Sequence, residues 1–150
     1  MHDRGRRISV TEIVIGAHDM PELSGIHHIA LTVSDAEASA AFYGQLLGLD
    51  EAFRIDDDTL CARIFAGDGF LFAVRHYKGH DKDRFSEFRT GMDHMAFAVP
   101  DRAALAAFEA RLDELGATYT PTAETPLGPV VVFRDPDGIQ IEFFVTENDS

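Results

Sequence analysis

The sequence predicts an α+β protein made of two tandem βαβββ modules that form a curved mixed sheet around a cleft. Three observations carry that reading. Shifting the chain by 66 positions lays His28-Ile-Ala-Leu-Thr-Val-Ser-Asp35 on His94-Met-Ala-Phe-Ala-Val-Pro-Asp101, and nine of the nineteen positions from 28 to 46 are identical. Each copy reads as a strand, a helix and then three strands. Each also places a turn between its last two strands, Ala66-Gly67-Asp68-Gly69 in the first and Asp135-Pro136-Asp137-Gly138 in the second. A repeat of this length is one supersecondary unit used twice, each copy burying its open face against the other.

Residues 1–23 form an N-terminal extension, read either as a loose arm or as an extra strand built from Ile8, Val10, Ile13, Val14 and Ile15. The first module, 24–76, opens with a strand over 28–33, where Ile29, Leu31 and Val33 alternate with His28, Ala30 and Thr32. Ser34 as N-cap with Glu37 three residues on forms a capping box. Ala38, Ala41, Phe42 and Leu46 then keep helical spacing, and Gly48 ends the helix. Strands follow at about 52–55, 60–66 and 70–76. Residues 77–90, polar and charged around Phe85 and Phe88, link the modules. In the second module, 91–146, a strand over 94–99 leads to a helix capped by Asp101 with the stripe Leu105, Phe108, Leu112 and Leu115 and a stop at Gly116. Strands at about 118–121, 130–134 and 139–145 complete it, and 147–150 is a tail.

With 150 residues, 45% of them hydrophobic, the chain is one domain with a core large enough to fold without staples. Thirteen basic against twenty-six acidic residues give a net charge of −13, which repels phosphate backbones and anionic lipid, so nucleic acid and membrane are not expected partners. The apolar stretch after Arg6-Arg7 is interrupted by Glu12 and lacks a cleavage site, and no run approaches the ~18 apolar residues of a membrane span. The single cysteine, Cys61, permits no intrachain disulfide and fits a reducing compartment. A cytoplasmic location is the expectation.

Alternation sorts the side chains by face. His28 shares its face with Ala30 and Thr32, and His94 with Ala96 and Ala98; small neighbours leave room for a cleft there, while Ile29, Leu31, Val33, Met95, Phe97 and Val99 point to the helices. Glu142 interrupts the apolar run of the last strand, where a bare carboxylate is costly to bury. Two imidazoles and a carboxylate are a recognised set for a divalent metal with open coordination positions. Each residue taken alone is more commonly structural or solvated. The repeat is what joins them, because a pseudo-twofold axis between the modules would bring the rings of His28 and His94 together.

These residues resemble the vicinal oxygen chelate superfamily, which includes glyoxalase I, extradiol dioxygenases, fosfomycin-resistance proteins and bleomycin-binding proteins. The resemblance covers about 24–146 and rests on His28-Ile-Ala-Leu-Thr-Val-Ser-Asp with Phe42-Tyr43 and Leu47-Gly48-Leu49, on Asp93-His94-Met-Ala-Phe-Ala-Val, and on Phe133-Arg-Asp-Pro-Asp-Gly-Ile-Gln-Ile-Glu142. It implies a metal held at the positions of His28, His94 and Glu142, with His27 the weaker candidate. Glyoxalase I carries a fourth ligand in the last strand of its first module. Glu142 follows Gly138 by four residues, and the residue four after Gly69 is Ala73, so that ligand is missing.

A three-ligand set resembles the extradiol dioxygenases and the fosfomycin-resistance proteins. The implied cofactor is one divalent metal ion, Fe2+ favoured, with Mn2+, Ni2+, Co2+ or Zn2+ as alternatives. The leading expectation is a dioxygenase-like enzyme acting on a small molecule with vicinal oxygens. A glyoxalase-type lyase or isomerase, a fosfomycin-type transferase and a non-catalytic antibiotic-sequestering protein are the alternatives. His80 falls near the acid–base histidine of the ring-cleaving enzymes, with His76 as a substitute, although a linker histidine is usually solvated. Their tyrosine ten residues before the glutamate ligand is replaced here by Val132. Arg75 lies on the face of Ala73, where it could reach a substrate carboxylate or phosphonate. Lys78, Lys82, Arg84 and Arg89 make the linker locally basic. Whether the site closes within one chain or in a homodimer stays open.

Overall fold

A computed structural model describes residues 22–80 and 83–145. The first module contains β1 (His28–Thr32), α1 (Ala36–Leu47), β2 (Glu51–Asp56), β3 (Leu60–Ala66) and β4 (Leu71–Tyr77). The second contains β5 (Met95–Val99), α2 (Arg102–Glu114), β6 (Thr118–Thr125), β7 (Gly128–Arg134) and β8 (Gln140–Val145). Each module forms its own four-stranded mixed sheet, ordered β1-β4-β3-β2 and β5-β8-β7-β6. In both, the first strand runs parallel to the last and the remaining pairs are antiparallel. The tandem βαβββ order is therefore present twice, in two sheets. The proposed extra strand near Ile8 and the tail lie outside the described residues.

Two local expectations are corrected. The N-cap of α1 is Asp35, whose carboxylate accepts from the N–H groups of Glu37 and Ala38, each at 3.0 Å. Ser34 instead donates its N–H to Asp137 Oδ2 at 2.9 Å across the module boundary, and Glu37 turns to Arg63 in place of closing a capping box. With the cap one residue later, the buried face of α1 is Ala36, Ser39, Ala40, Tyr43 and Leu46, while Ala38 and Ala41 are exposed. The second helix agrees with its expected cap and stripe: Asp101 accepts from Ala104 N–H at 2.8 Å, and Leu105 and Leu112 are buried.

One apolar core joins the modules. Leu31, Val33, Phe72 and Val74 of the first sheet and Met95, Val99, Ile141, Phe143 and Val145 of the second belong to a single buried cluster with Tyr43 and Leu112 from the helices. Phe97 bridges the sheets, its ring 5.8 Å from that of Phe72 and 6.1 Å from that of Phe143. A buried hydrogen bond locks the arrangement, Tyr43 Oη donating to Asp135 Oδ2 at 2.8 Å. Asp135 Oδ1 accepts from the N–H groups of Asp137 and Ile139, which holds the β7–β8 turn against α1. Burial pushes both pKa values up; for Tyr43 the Asp135 charge adds to the effect, and for Asp135 these hydrogen bonds partly oppose it. Among the described residues no helix is long and apolar enough to cross a membrane.

Candidate functional site

The parallel pairing of β5 with β8 places Ala96 beside Glu142, so His94, two residues before Ala96, shares that sheet face with the carboxylate. His94 Nε2 lies 3.7 Å from Glu142 Oε2. On its other side His94 Nδ1–H donates to Asp93 Oδ1 at 2.6 Å. A ring that donates through Nδ1 presents Nε2 as its lone-pair nitrogen when neutral, and a carboxylate behind a histidine is the usual support for a metal ligand. The Asp93 hydrogen bond is the main cause of a His94 pKa above the usual imidazole value, opposed by partial burial and reinforced by the Glu142 charge. Sequence reasoning did not single out Asp93; an acidic residue directly before the histidine was the available signal.

His28 leads the equivalent face of the first sheet. It is exposed, and its Nδ1 lies 2.9 Å from Nδ1 of His27 with the rings edge to face, leaving Nε2 available. Register explains what surrounds it. Ala30 pairs with Ala73, Ala73 with Ile64 and Ile64 with Phe53, while Thr32 pairs with Arg75, Arg75 with Ala62 and Ala62 with Ile55. Directly paired residues share a face, so these side chains and His28 form one surface.

The expected meeting of His28 and His94 does not occur within one chain. Both sheets turn their Phe72 and Phe143 faces into the common core, so the two histidine faces point away from it and from each other. Among the described residues the group of three metal-ligating atoms lying within 4.8 Å of one another is Glu37, Asp56 and Cys61. That group already surrounds a cation: the buried Arg63 guanidinium pairs with Glu37 and with Asp56 Oδ2, the latter at 3.3 Å. Cys61 is half-buried against the core, as a small packing residue.

His80 does not approach His94 or Glu142. It lines a cavity of about 550 Å3 formed by Thr32, His76, Tyr77 and Arg84 with Asp137 and Ile139 of the second module. His76 sits there with Nδ1 3.3 Å from the Val33 carbonyl oxygen. Arg75 is not part of its wall; it lies on the Ala73 face of the first sheet, its guanidinium 5.6 Å from the centre of the Tyr77 ring.

Comparison with known proteins places this geometry in a family. The profile described as the Glyoxalase/Bleomycin resistance protein/Dioxygenase superfamily matches residues 25–143. A crystal structure of a glyoxylase/bleomycin resistance protein/dioxygenase domain from Frankia sp. EAN1pec is 35% identical, covers 84% of this chain and 100% of its own, and superposes with a TM-score of 0.79. The uncharacterized protein YwkD of Bacillus subtilis (strain 168) is 27% identical over 127 residues, 81% of this chain and 97% of that protein. A mutant of the genomically encoded fosfomycin resistance protein FosX from Listeria monocytogenes, complexed with Mn(II) and 1S,2S-dihydroxypropylphosphonic acid, shares the fold at 21% identity and a TM-score of 0.65, covering 82% of this chain and 93% of its own.

Proposed function

Since this chain belongs to the glyoxalase/bleomycin resistance protein/dioxygenase superfamily, we propose that it is a divalent-metal-dependent enzyme acting on a small molecule with two adjacent oxygens, and that its site is assembled by two copies. The observation that carries the proposal is the His94 Nε2 and Glu142 Oε2 pair at 3.7 Å, backed by Asp93, on an outward face lined by Ala96 and Ala98. The pair fits a metal by donor chemistry: a carboxylate and an oriented imidazole nitrogen converge, with no arginine or lysine ion-paired to Glu142 among the described residues.

A second copy supplies the third donor. His28 faces outward on the first sheet, whose same surface exposes Phe53, Ile55 and Tyr77 at 50%, 38% and 38%. A soluble protein rarely leaves such an apolar surface uncovered. In a twofold dimer each chain gives His28 to the His94–Glu142 pair of the other, and both faces are covered at once. Three protein donors with Ala73 in the fourth place leave coordination positions open. A metal bound there supplies Lewis-acid polarisation of the substrate oxygens. The donor set suits Fe(II), Mn(II), Ni(II), Co(II) or Zn(II), and Fe(II) is the choice for an oxygen-dependent, dioxygenase-like reaction.

Metal analysis and a substrate panel test this. Protein reconstituted with each metal is expected to hold about one ion per chain, as the ligand count requires. Catechols, 2-oxoaldehyde thiol adducts and fosfomycin with thiols are then offered with oxygen present or excluded. The expected result is oxygen-dependent turnover of a catechol-type substrate. Turnover without oxygen would replace the dioxygenase-like reading with a lyase or transferase reaction. Tight ligand binding with no turnover under any condition would indicate sequestration.

A further inference from the structure

Side chains alternate along β4. Arg75, paired with Thr32 and Ala62, shares the face of Ala73, whereas His76, paired with Cys61, points to the opposite face, that of Phe72 and Val74. His76 lines the cavity of about 550 Å3, whose walls come from three places: Val33 and His76 from the first module, Arg84 and Phe85 from the linker, Asp137 and Ile139 from the second module. The cavity therefore sits at the module junction, where His76 reaches it from the side of the sheet away from Ala73, and no candidate metal ligand lines it. A volume of this size between two packed units is typical of a small-molecule site.

The chemistry of the wall narrows what would occupy it. Val33 and Ile139 are buried, and Phe85 packs half-buried against the core. Tyr77 and His80 stand edge to face, ring centres 6.2 Å apart. His76 Nδ1 lies 3.3 Å from the Val33 carbonyl oxygen, a group that only accepts, so Nδ1 carries the proton and Nε2 of the neutral ring is an acceptor. That nitrogen has no hydrogen-bond partner among the described residues. The acids are engaged: Asp83 accepts from Arg89 at 3.2 Å and Asp137 from the Ser34 N–H at 2.9 Å. A chain of net charge −13 does not gather anions. The wall thus offers rings, an apolar surface and one waiting acceptor.

We propose that this cavity is a second ligand site, for a neutral aromatic molecule of one or two rings that carries a single O–H or N–H donor, of the phenol or indole class. The donor hydrogen goes to His76 Nε2, the ring lies among Tyr77, His80 and Phe85, and the Arg84 guanidinium faces its π-surface. A ring bound there touches both modules and the linker at once, and stabilises the folded chain by mass action.

The test uses chelator-treated full-length protein. It is titrated with indole against 1-methylindole and with phenol against anisole, each pair differing by the donor hydrogen, and binding is followed by nuclear magnetic resonance. Saturable binding of at least one donor-bearing ring is expected, about tenfold tighter than its methylated counterpart, as one hydrogen bond to a desolvated acceptor requires. Resonances of Val33, His76, Phe85 and Ile139 should shift, and those of His94 should not. His76→Ala is expected to abolish the preference while binding the methylated ring as wild type does, which also reports a folded variant. Arg84→Ala, at an exposed position, should weaken both members of each pair by about two- to fivefold. His94→Ala should alter neither. Absence of saturable binding by wild type, equal affinity for the donor-bearing and methylated rings, or shifts centred on His94 and Glu142 overturns the proposal. No arm contains metal, so failure here leaves the metal reading standing, and failure of metal uptake leaves this site standing.

Discussion

Ala73 occupies in the first sheet the place that Glu142 occupies in the second. Each pairs in register with the alanine two residues beyond a leading histidine, Ala30 opposite Ala73 and Ala96 opposite Glu142. The repeated module thus offers a carboxylate once. Ala73→Glu is expected to add a donor to His28 and tighten metal binding about tenfold or more, at the cost of a position that substrate needs. Ala73 is 7% exposed among Leu60, Ala62 and Ile64, so the metal-free variant should lose about 1–3 kcal/mol for a buried polar group without a partner. Chelator competition and melting with and without metal check both parts. Identical metal affinity and no metal-dependent recovery would show that Ala73 does not face the metal.

A site shared between two copies makes a counting prediction. His28→Ala and His94→Ala are each expected to abolish metal uptake when pure. Mixed in equal amounts and allowed to exchange, they form heterodimers in which one site pairs the intact His28 of one chain with the intact His94 and Glu142 of the other. Random pairing restores about a quarter of the wild-type metal content. Zero recovery in a mixture proven to contain heterodimers would place the site within one chain.

Tyr43→Phe removes the donor to the buried Asp135 carboxylate while leaving the ring that packs 4.8 Å from Phe72. Loss of one hydrogen bond to a desolvated charge should destabilise the fold by about 1–3 kcal/mol and drive the Asp135 pKa further up. Urea denaturation measures the first and a pH titration of stability the second. An unchanged midpoint would mean that the bond holds no part of the junction between α1 and the β7–β8 turn.

The linker tie titrates in acid. Glu87 accepts from Arg134 at 2.8 Å, and that hydrogen bond is the main cause of a Glu87 pKa below its ordinary value near 4.5. A carboxylate whose folded pKa is depressed contributes stability above its unfolded pKa, and that contribution fades as pH falls through the folded value. Glu87→Gln is therefore expected to be less stable than wild type at pH 7 and equal to it near pH 3. A stability difference that persists unchanged at pH 3 would assign the effect to packing.

The sequence by itself determined the two-module plan and the strand faces. Strand alternation and the 66-residue repeat are local properties. The parallel pairing of β5 with β8, seen in the sheet, then sets His94 and Glu142 on one face inside one module. The placement of Ala73 was legible by counting from the turn glycines. Only the tertiary structure decided which residue capped α1, because Ser34 and Asp35 are both competent caps and the choice depends on Asp137 reaching the Ser34 N–H from the other module. It alone decided how the modules meet. Apolar alternation gives each sheet one greasy face, but the shape of Tyr43, Phe72, Phe97 and Phe143 packed together sets those faces against each other and turns His28 and His94 outward, away from one another. A linear pattern records which side chains share a surface, whereas the distance between two surfaces is set by the core that fills the space between them.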